Sequence, residues 1–259
     1  MHERNKFFLF IILLVLFSVF ISRYKTRTNP EFKYASTSLV LDFTHKKSLS
    51  EEKTQFMESI IRAAQWSNYQ IYKKRESLIK IKKSYSHNKK IPGFRKHQLQ
   101  NLIEEYGVKD LDINDTIGLM KAIDELELRL NMIPVRLAVA QAILESAWGT
   151  SRFAKEGFAY FGIHCYQPDC GMSFGDHKKI FVKSYIDLQA SVEDYMHFLN
   201  TKNGPWKFRV ARVEYFASEN PDIVFLAESL HSYSEIGGNY QKILKDLFNN
   251  YIPDSIDDY

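Results

Sequence analysis

Cysteine, glycine and proline are all scarce in this chain of 259 residues, which has 2, 11 and 7 of them. Two cysteines exclude a disulfide-rich scaffold and a four-cysteine zinc site. The net charge is also small, since 35 basic and 31 acidic residues leave only +4. That small surplus is too diffuse to indicate a nucleic-acid partner. With 45% hydrophobic residues, the composition excludes a disordered polypeptide and predicts a buried core.

Long hydrophobic runs are also rare, and the one present lies at the N-terminus. Phe7–Ile21 is apolar except for Ser18 and has basic residues on both sides. As a helix it would span about 22 Å, short of the roughly 30 Å hydrocarbon core but extendable by flanking side chains. No Ala-x-Ala-like cleavage site follows it, so an uncleaved anchor is preferred to a cleaved signal peptide. We therefore expect residues 1–28 to place the protein in the cell envelope, anchored in the inner membrane and facing the periplasm, or exported.

The rest of the chain divides into three parts. We expect a linker at residues 29–47, a helical extension at 48–112 and a main domain at 113–252. Ser48–Glu51 has the form of a capping box that opens a long helix. Gly149 is predicted to end a central apolar helix that starts near Pro134. Further helices are predicted at 98–106, 115–148 (two, joined at Pro134), 188–199, 224–230 and 240–251. No helix is expected over 158–176, and 179–185 is predicted to be one strand of a hairpin. The fold class is α+β, mainly α.

Glu145 is the most informative residue of the central helix. It lies four residues after Gln141, so the two side chains share a face. Its carboxyl sits near the C-terminal end of an apolar helix, where burial and the helix dipole both favour the protonated form. Glycosidic cleavage needs such a proton donor. The alternative is a buried structural carboxyl paired with Arg136 or a backbone donor. Nearby aromatic residues suit either sugar stacking or the core: Trp148, Phe158, Tyr160 and Phe161.

Several strings together resemble a known family. They are AQAILESAWGTSRFA at 140–154, YFG at 160–162 and CYQPDCG at 165–171, followed in order by FVKSY at 181–185, SVEDY at 191–195, LAESL at 226–230, YSE at 233–235 and GNY at 238–240. This series resembles the bacterial Bax-type glucosaminidases of glycoside hydrolase family 73, the group that includes the flagellar rod hydrolase domain. The resemblance covers roughly residues 116–248.

That resemblance implies a lysozyme-like fold with a small β-hairpin lobe. It also implies cleavage of peptidoglycan glycan strands at the β-1,4 bond after N-acetylglucosamine. Glu145 matches the family's catalytic acid, and Tyr233 and Tyr240 approximately match its functional tyrosines. The predicted substrate-binding residues are Gln141, Ser146, Trp148, Phe161, Tyr233 and Tyr240.

The second catalytic group is less sharply indicated. An inverting mechanism needs a second carboxylate to activate water, whereas substrate-assisted cleavage uses the acetamido oxygen of the sugar. Asp176 is the leading candidate for a base, ahead of Asp169 and Asp187, which suit turn or capping roles. Tyr233 could instead hold the acetamido group.

Cys165 and Cys170 could close a short disulfide loop in an oxidising compartment, or remain free thiols. A single cysteine pair without suitable histidine partners does not indicate a metal site, and no cofactor is expected. The expected partners are peptidoglycan strands and, through the N-terminal helix, a membrane. Two alternatives stay open. One is a lytic transglycosylase or muramidase acting on the same substrate, and the other is a non-catalytic wall-binding protein.

Overall fold

A 38-residue helix organises the fold. The computed structural model describes residues 42–173, 180–201, 204–230 and 239–257. Helix α1 spans Glu51–Asn88, and the Oγ of its N-cap Ser50 accepts a hydrogen bond from the amide of Lys53. The cap is therefore Ser50, and the prediction that a Ser48 capping box opens the helix is wrong by two residues. Apolar residues at helical spacing form the inner face of α1, because they return to one side every three to four positions: Met57, Ile60, Ile61, Ala64, Ile71, Leu78 and Ile81.

Three helices follow α1, and the last of them is the centre of the core. They are α2 (Gly93–Glu105), α3 (Thr116–Arg129) and α4 (Val135–Ser146). Pro134 precedes α4 as its N-cap, which confirms two helices joined at this proline. Helix α4 is buried on nearly all sides, as its continuous apolar sequence predicts.

The end of α4 differs from the prediction. The helix stops at Ser146, three residues before Gly149, because Ala147 takes a left-handed conformation with φ of 50°. Trp148 and Gly149 are also left-handed, with φ of 59° and 73°. Glycine adopts this region at little cost, whereas alanine and tryptophan do so only under tertiary constraint.

A short helix and three short strands form a small lobe after this turn. Helix α5 spans Arg152–Gly157, and the strands are β1 (His164–Cys165), β2 (Gly171–Ser173) and β3 (Phe181–Lys183). The strand order is β1-β3-β2, with both outer strands antiparallel to β3. The lobe is therefore a three-stranded sheet and not the simple hairpin predicted. Within 158–173 no helix is present, as predicted.

Helices return in the C-terminal half. They are α6 (Leu188–Asn200), α7 (Trp206–Ala217), α8 (Ile223–Glu228) and α9 (Asn239–Asn250), followed by a 3-10 turn at Asp254–Asp257. The predicted helices at 188–199, 224–230 and 240–251 are confirmed to within two residues at each end. Helix α7 was not predicted, because Arg209 and Arg212 occupy buried positions on its inner face and interrupt the apolar pattern.

The long helix and the C-terminal helices share one hydrophobic core. Helix α1 packs directly against α4 and α6, and buried residues from α1 through the C-terminal turn form a single cluster. The end of the predicted linker, residues 42–47, lies on this core: the Lys46 Nζ donates to the Phe248 carbonyl at 2.8 Å, and the Lys47 amide donates to the Asn250 carbonyl at 2.7 Å. The described chain is thus mainly helical with one small sheet, which confirms the α+β, mainly α class.

The predicted N-terminal anchor at residues 1–28 lies outside the described residues. Among the helices that are described, none combines the length and the apolar character needed to cross a bilayer.

Candidate active site

Glu145 is the penultimate residue of α4 and is half-buried. Burial raises the pKa of its carboxyl above the ordinary value of 4.5, because a carboxylate loses hydration when apolar groups surround it. The carbonyl end of the helix dipole acts in the same direction. The carboxyl is therefore poised to hold a proton, and it is not sealed inside the protein.

A glycine brings the loop before β1 close to this acid. Gly162 has φ of 61°, and a Cβ built on it would lie 3.6 Å from the Glu145 Oε2. The left-handed conformation suits glycine and strains other residues. The carboxyl of Glu145 therefore faces the backbone that leads directly into the small sheet.

Gln141 lies on the same face of α4 as Glu145 and forms a buried pair with Tyr240 of α9. The Gln141 Nε2 donates a hydrogen bond to the Tyr240 hydroxyl, and both side chains are only 1% exposed. Burial raises the pKa of Tyr240 to about 12, with a further contribution from the charge of Glu145. Gln141 contacts Tyr240 and shares its helix face with Glu145, so the three groups lie in one neighbourhood.

The side chain of Ser146 lies inside the protein, at the turn that follows α4. Its Oγ donates to the Ala142 carbonyl at 2.5 Å and accepts from the Gly149 amide at 2.8 Å, and its side chain is fully buried. The hydroxyl therefore holds the left-handed turn after α4. Its predicted contact with substrate has no support from this position.

Trp148 belongs to an aromatic cluster at the end of α4. Its ring centroid lies 6.5 Å from that of Phe56 and 6.3 Å from that of Tyr251. Phe56 also lies 5.8 Å from Tyr160. The Lys53 Nζ is 5.0 Å from the centre of the Trp148 ring. Helix α1 thus supports the turn that follows Glu145. The part that Phe56 takes in this support could not be predicted from the sequence.

Phe161 is a core residue. Its ring stacks on Tyr195 with centroids 4.0 Å apart, and it is 1% exposed. The expectation that Phe161 stacks on a sugar is therefore not supported, because both faces of the ring lie within the protein.

The candidates for a second acid have different positions. Asp176 and Tyr233 lie outside the described residues, so their roles stay predictions. Asp187 is the N-cap of α6 and accepts from the Ala190 amide at 2.8 Å. Asp169 is exposed in the loop between β1 and β2, with φ of 64°. Both positions are those of capping and turn residues.

If Glu145 were a buried structural carboxyl and not a catalytic acid, it would need a partner such as Arg136. The Arg136 guanidinium instead forms an ion pair with Asp254 at 2.5 Å, and its backbone amide donates to Asp257. Arg136 is nine residues before Glu145, so the two side chains point to different sides of α4. Within the described ranges Glu145 forms no salt bridge.

Cys165 and Cys170 form a disulfide, with their Cα atoms 6.2 Å apart. The bond closes the loop that joins β1 to β2, and it is one of the two states that the sequence left open. In the part of the chain that the structure describes, no three His, Cys, Asp or Glu side chains are arranged to hold a metal ion.

A half-buried carboxyl with a raised pKa is a feature of the general acids of glycoside hydrolases. A family model named Glucosaminidase, described as mannosyl-glycoprotein endo-beta-N-acetylglucosaminidase, matches residues 120–252. That match spans more than half of the chain, and the chain therefore belongs to the glucosaminidase family of glycoside hydrolases.

A curated relative agrees with this assignment. The chain is 27% identical over 123 residues to protein bax of Escherichia coli strain K12, a match that covers 47% of this chain. It covers only 44% of that relative's length. Together the two matches support a Bax-type glucosaminidase. No solved structure matches the chain significantly.

Proposed function

We propose that the protein is an endo-β-N-acetylglucosaminidase that cleaves the β-1,4 bond after N-acetylglucosamine in peptidoglycan. The observation that carries the proposal is the half-buried Glu145 carboxyl, because burial raises its pKa. Glu145 shares one face of α4 with Gln141, which contacts Tyr240 of α9. Membership of the glucosaminidase family supports the reaction class. We also propose that the fold is lysozyme-like.

In the proposed mechanism, protonated Glu145 donates its proton to the bridging glycosidic oxygen. The bond from the anomeric carbon to that oxygen breaks, and the neutral sugar alcohol leaves. Water supplies the hydroxyl that the anomeric carbon gains, and a base takes its remaining proton. Asp176 fills the role of the base in an inverting reaction. In a substrate-assisted reaction the acetamido oxygen of the sugar attacks the anomeric carbon as the protonated sugar alcohol leaves, water then opens the ring so formed, and Tyr233 orients the acetamido group.

The proposed site of action is the cell envelope. The apolar run at residues 7–21, with basic flanks, supports membrane anchoring with the enzyme on the periplasmic side, or export. Peptidoglycan would be accessible to the protein in either case. We infer no nucleic-acid partner, since the small net charge supports none.

Mass spectrometry of soluble products from purified peptidoglycan tests the proposal. New reducing-end N-acetylglucosamine supports it. Reducing N-acetylmuramic acid would identify a muramidase, and 1,6-anhydro sugars would identify a lytic transglycosylase, and either product would overturn the bond assignment.

The role of Glu145 is tested with Glu145→Gln, which keeps the side-chain volume and removes the acidic proton. We expect product formation to fall by at least about 100-fold, the typical contribution of a positioned general acid. Glu214→Gln, on the exposed face of α7, is the matched control and should retain full activity. Wall binding without product in the wild type would instead favour a non-catalytic wall-binding protein.

A further inference from the structure

Positive charge is segregated at the end of α1 far from Glu145. Residues 77–103 contain seven Lys and Arg and no Asp or Glu. Because the whole chain has a net charge of +4, all other residues together have a net charge of −3. The segment therefore has a net charge of +7, and it includes the C-terminal part of α1 and the first turns of α2.

The cations of this segment meet at one corner of the molecule. Lys80 and Lys83 lie on one exposed face of α1, and Lys89 and Lys90 are exposed in the turn that follows. The Arg95 Nη1 of α2 donates to the Lys80 carbonyl at 3.2 Å, which fixes the start of α2 beside that face. We call these five residues, with Phe94, the basic corner.

Most charge at the basic corner is not neutralised within the protein. Lys82, which is not part of the corner, is paired with Asp124 and Glu127, whereas Lys80, Lys83, Lys89 and Lys90 form no ion pair with any described residue. The neighbouring loop before α3 carries three acids, Asp110, Asp112 and Asp115, and none of them forms an ion pair with a described residue. Asp112 accepts hydrogen bonds from Asn114, and Asp115 caps α3.

An aromatic ring projects from the same corner. Phe94 is 65% exposed, and the Arg95 guanidinium carbon lies 5.5 Å from the centre of its ring. An exposed apolar ring gains free energy when it moves from water into an apolar environment. Cations around an apolar ring match a surface that presents anions outside and hydrocarbon beneath, which is the structure of an anionic lipid interface.

We propose that the basic corner docks the protein on an anionic lipid surface, with the lysines against the headgroups and Phe94 inserted between them. A polyanion in water, such as an acidic wall polymer, would satisfy the lysines and leave the ring exposed. The lipid surface accounts for both features, and for that reason we prefer it.

This docking would also set the distance of the acid from the membrane. Phe56 marks the end of α1 next to the turn after Glu145, since a Cβ on Gly149 would lie 2.9 Å from its ring. Lys80 follows 24 residues later and Lys89 follows 33 residues later, or about 36 and 50 Å along a helix at 1.5 Å per residue. A protein held by the basic corner therefore directs its acid away from the bilayer.

Hydrogen exchange of the full chain on vesicles tests the proposal, since it reads the corner itself whether or not residues 7–21 insert. The vesicles are phosphatidylcholine alone, or phosphatidylcholine with an equal part of phosphatidylglycerol. We expect amides from Lys89 to His97 to exchange at least about fivefold more slowly on the anionic vesicles only. Each lysine near such a surface contributes about a factor of five to binding, so slowing should vanish when Lys80, Lys83, Lys89 and Lys90 are all changed to Gln.

The matched control changes four exposed lysines elsewhere to Gln and should keep the slowing: Lys155, Lys207, Lys242 and Lys245. Phe94→Ala should reduce the slowing several-fold, whereas Phe225→Ala, another exposed ring, should leave it unchanged. Equal exchange on both vesicles would overturn the proposal. So would slowing that survives the four changes at the corner, or slowing produced by purified wall polymer and not by lipid.

Discussion

At the scale of single residues, the carboxyl of Glu145 combines two opposing demands. Catalysis needs it to hold a proton at working pH, and burial provides this by disfavouring the charged form. The same burial destabilises the folded protein when the carboxyl ionises. The activity and the stability of the protein should therefore respond to pH through the same group.

The stability consequence has a definite sign. Below the ordinary value of 4.5 the carboxyl is protonated in folded and unfolded chains, and Glu145→Gln should match the wild type. As pH rises past that value, the unfolded chain ionises first and the folded wild type loses stability until its own raised pKa is passed. The Glu145→Gln variant avoids this loss, so it should melt at a higher temperature at neutral pH.

Thermal melting of both proteins across pH measures this difference. Glu214→Gln serves as the exposed control and should show no such pH-dependent gain. A Glu145→Gln variant that melts below the wild type at neutral pH would mean that the carboxylate is stabilised in the fold. In that case the pKa of Glu145 would not be raised, and activity should fall with rising pH at or below about 4.5. The raised pKa predicts instead that activity persists above this pH.

The Tyr240 hydroxyl should stabilise the fold through Gln141. Tyr240→Phe removes the acceptor of the buried Gln141 amide, and an unsatisfied buried donor costs about 1–3 kcal/mol. We expect a loss of that size in the free energy of unfolding, measured with guanidinium chloride. Tyr166→Phe is the control, because Tyr166 is 72% exposed and its hydroxyl has water available. Equal losses in both variants would contradict the assigned hydrogen bond.

At the scale of elements, the small sheet depends on a close backbone approach. A Cβ on Gly171 would lie 2.0 Å from the Val182 carbonyl oxygen, directly in the pairing of β2 with β3. Gly171→Ala should therefore separate these strands, at the 1–3 kcal/mol or more that overpacking costs. Gly93→Ala is the matched control. Nothing lies within 4 Å of its added Cβ, so urea unfolding should show no loss or a gain of up to about 1 kcal/mol.

Elements with a strong local pattern could be predicted from the sequence, and those fixed by distant contacts could not. Helix α4 was evident because its apolar residues continue through three turns. Strand β3 lies within the strand predicted at 179–185, whereas β1 and β2, of two and three residues, are too short for alternation to be recognised. The order β1-β3-β2 depends on pairing between residues 16 to 18 positions apart for β1 and β3, which no local pattern encodes.

The features of the candidate site also divide into those set by a local pattern and those set by distant contacts. Glu145 and its relation to Gln141 follow from helical spacing along one segment. The bond from Gln141 to Tyr240 joins residues 99 positions apart, and the approach of Gly162 to Glu145 depends on a loop conformation. Phe161 could not be placed from the sequence, because an aromatic residue near an acid suits the core and a sugar equally well. Its stacking on Tyr195 is a contact that only the fold shows.

At the scale of the whole molecule, the position of α1 matters most. The extension at residues 48–112 and the domain at 113–252 were predicted as separate parts, and that division stays a prediction. Buried residues of α1 share one cluster with α4 and α6. The fully buried Asn68 of α1 also donates to the Ile133 carbonyl at 2.7 Å and accepts from the Ile133 amide at 2.9 Å. These contacts cross the predicted boundary.

We therefore expect residues 51–257 to unfold in one cooperative transition. Pulsed hydrogen exchange in guanidinium chloride should give the same midpoint for peptides from α1, α4 and α6. Asn68→Ala should lower all three midpoints together, because each unsatisfied group at Ile133 costs about 1–3 kcal/mol. Arg62→Ala, which removes only an exposed pair with Glu58, should shift them little. Exchange of α1 at a lower denaturant concentration than α4 would show instead that the extension is a separate unit, and Asn68→Ala would then lower the midpoint of α1 alone.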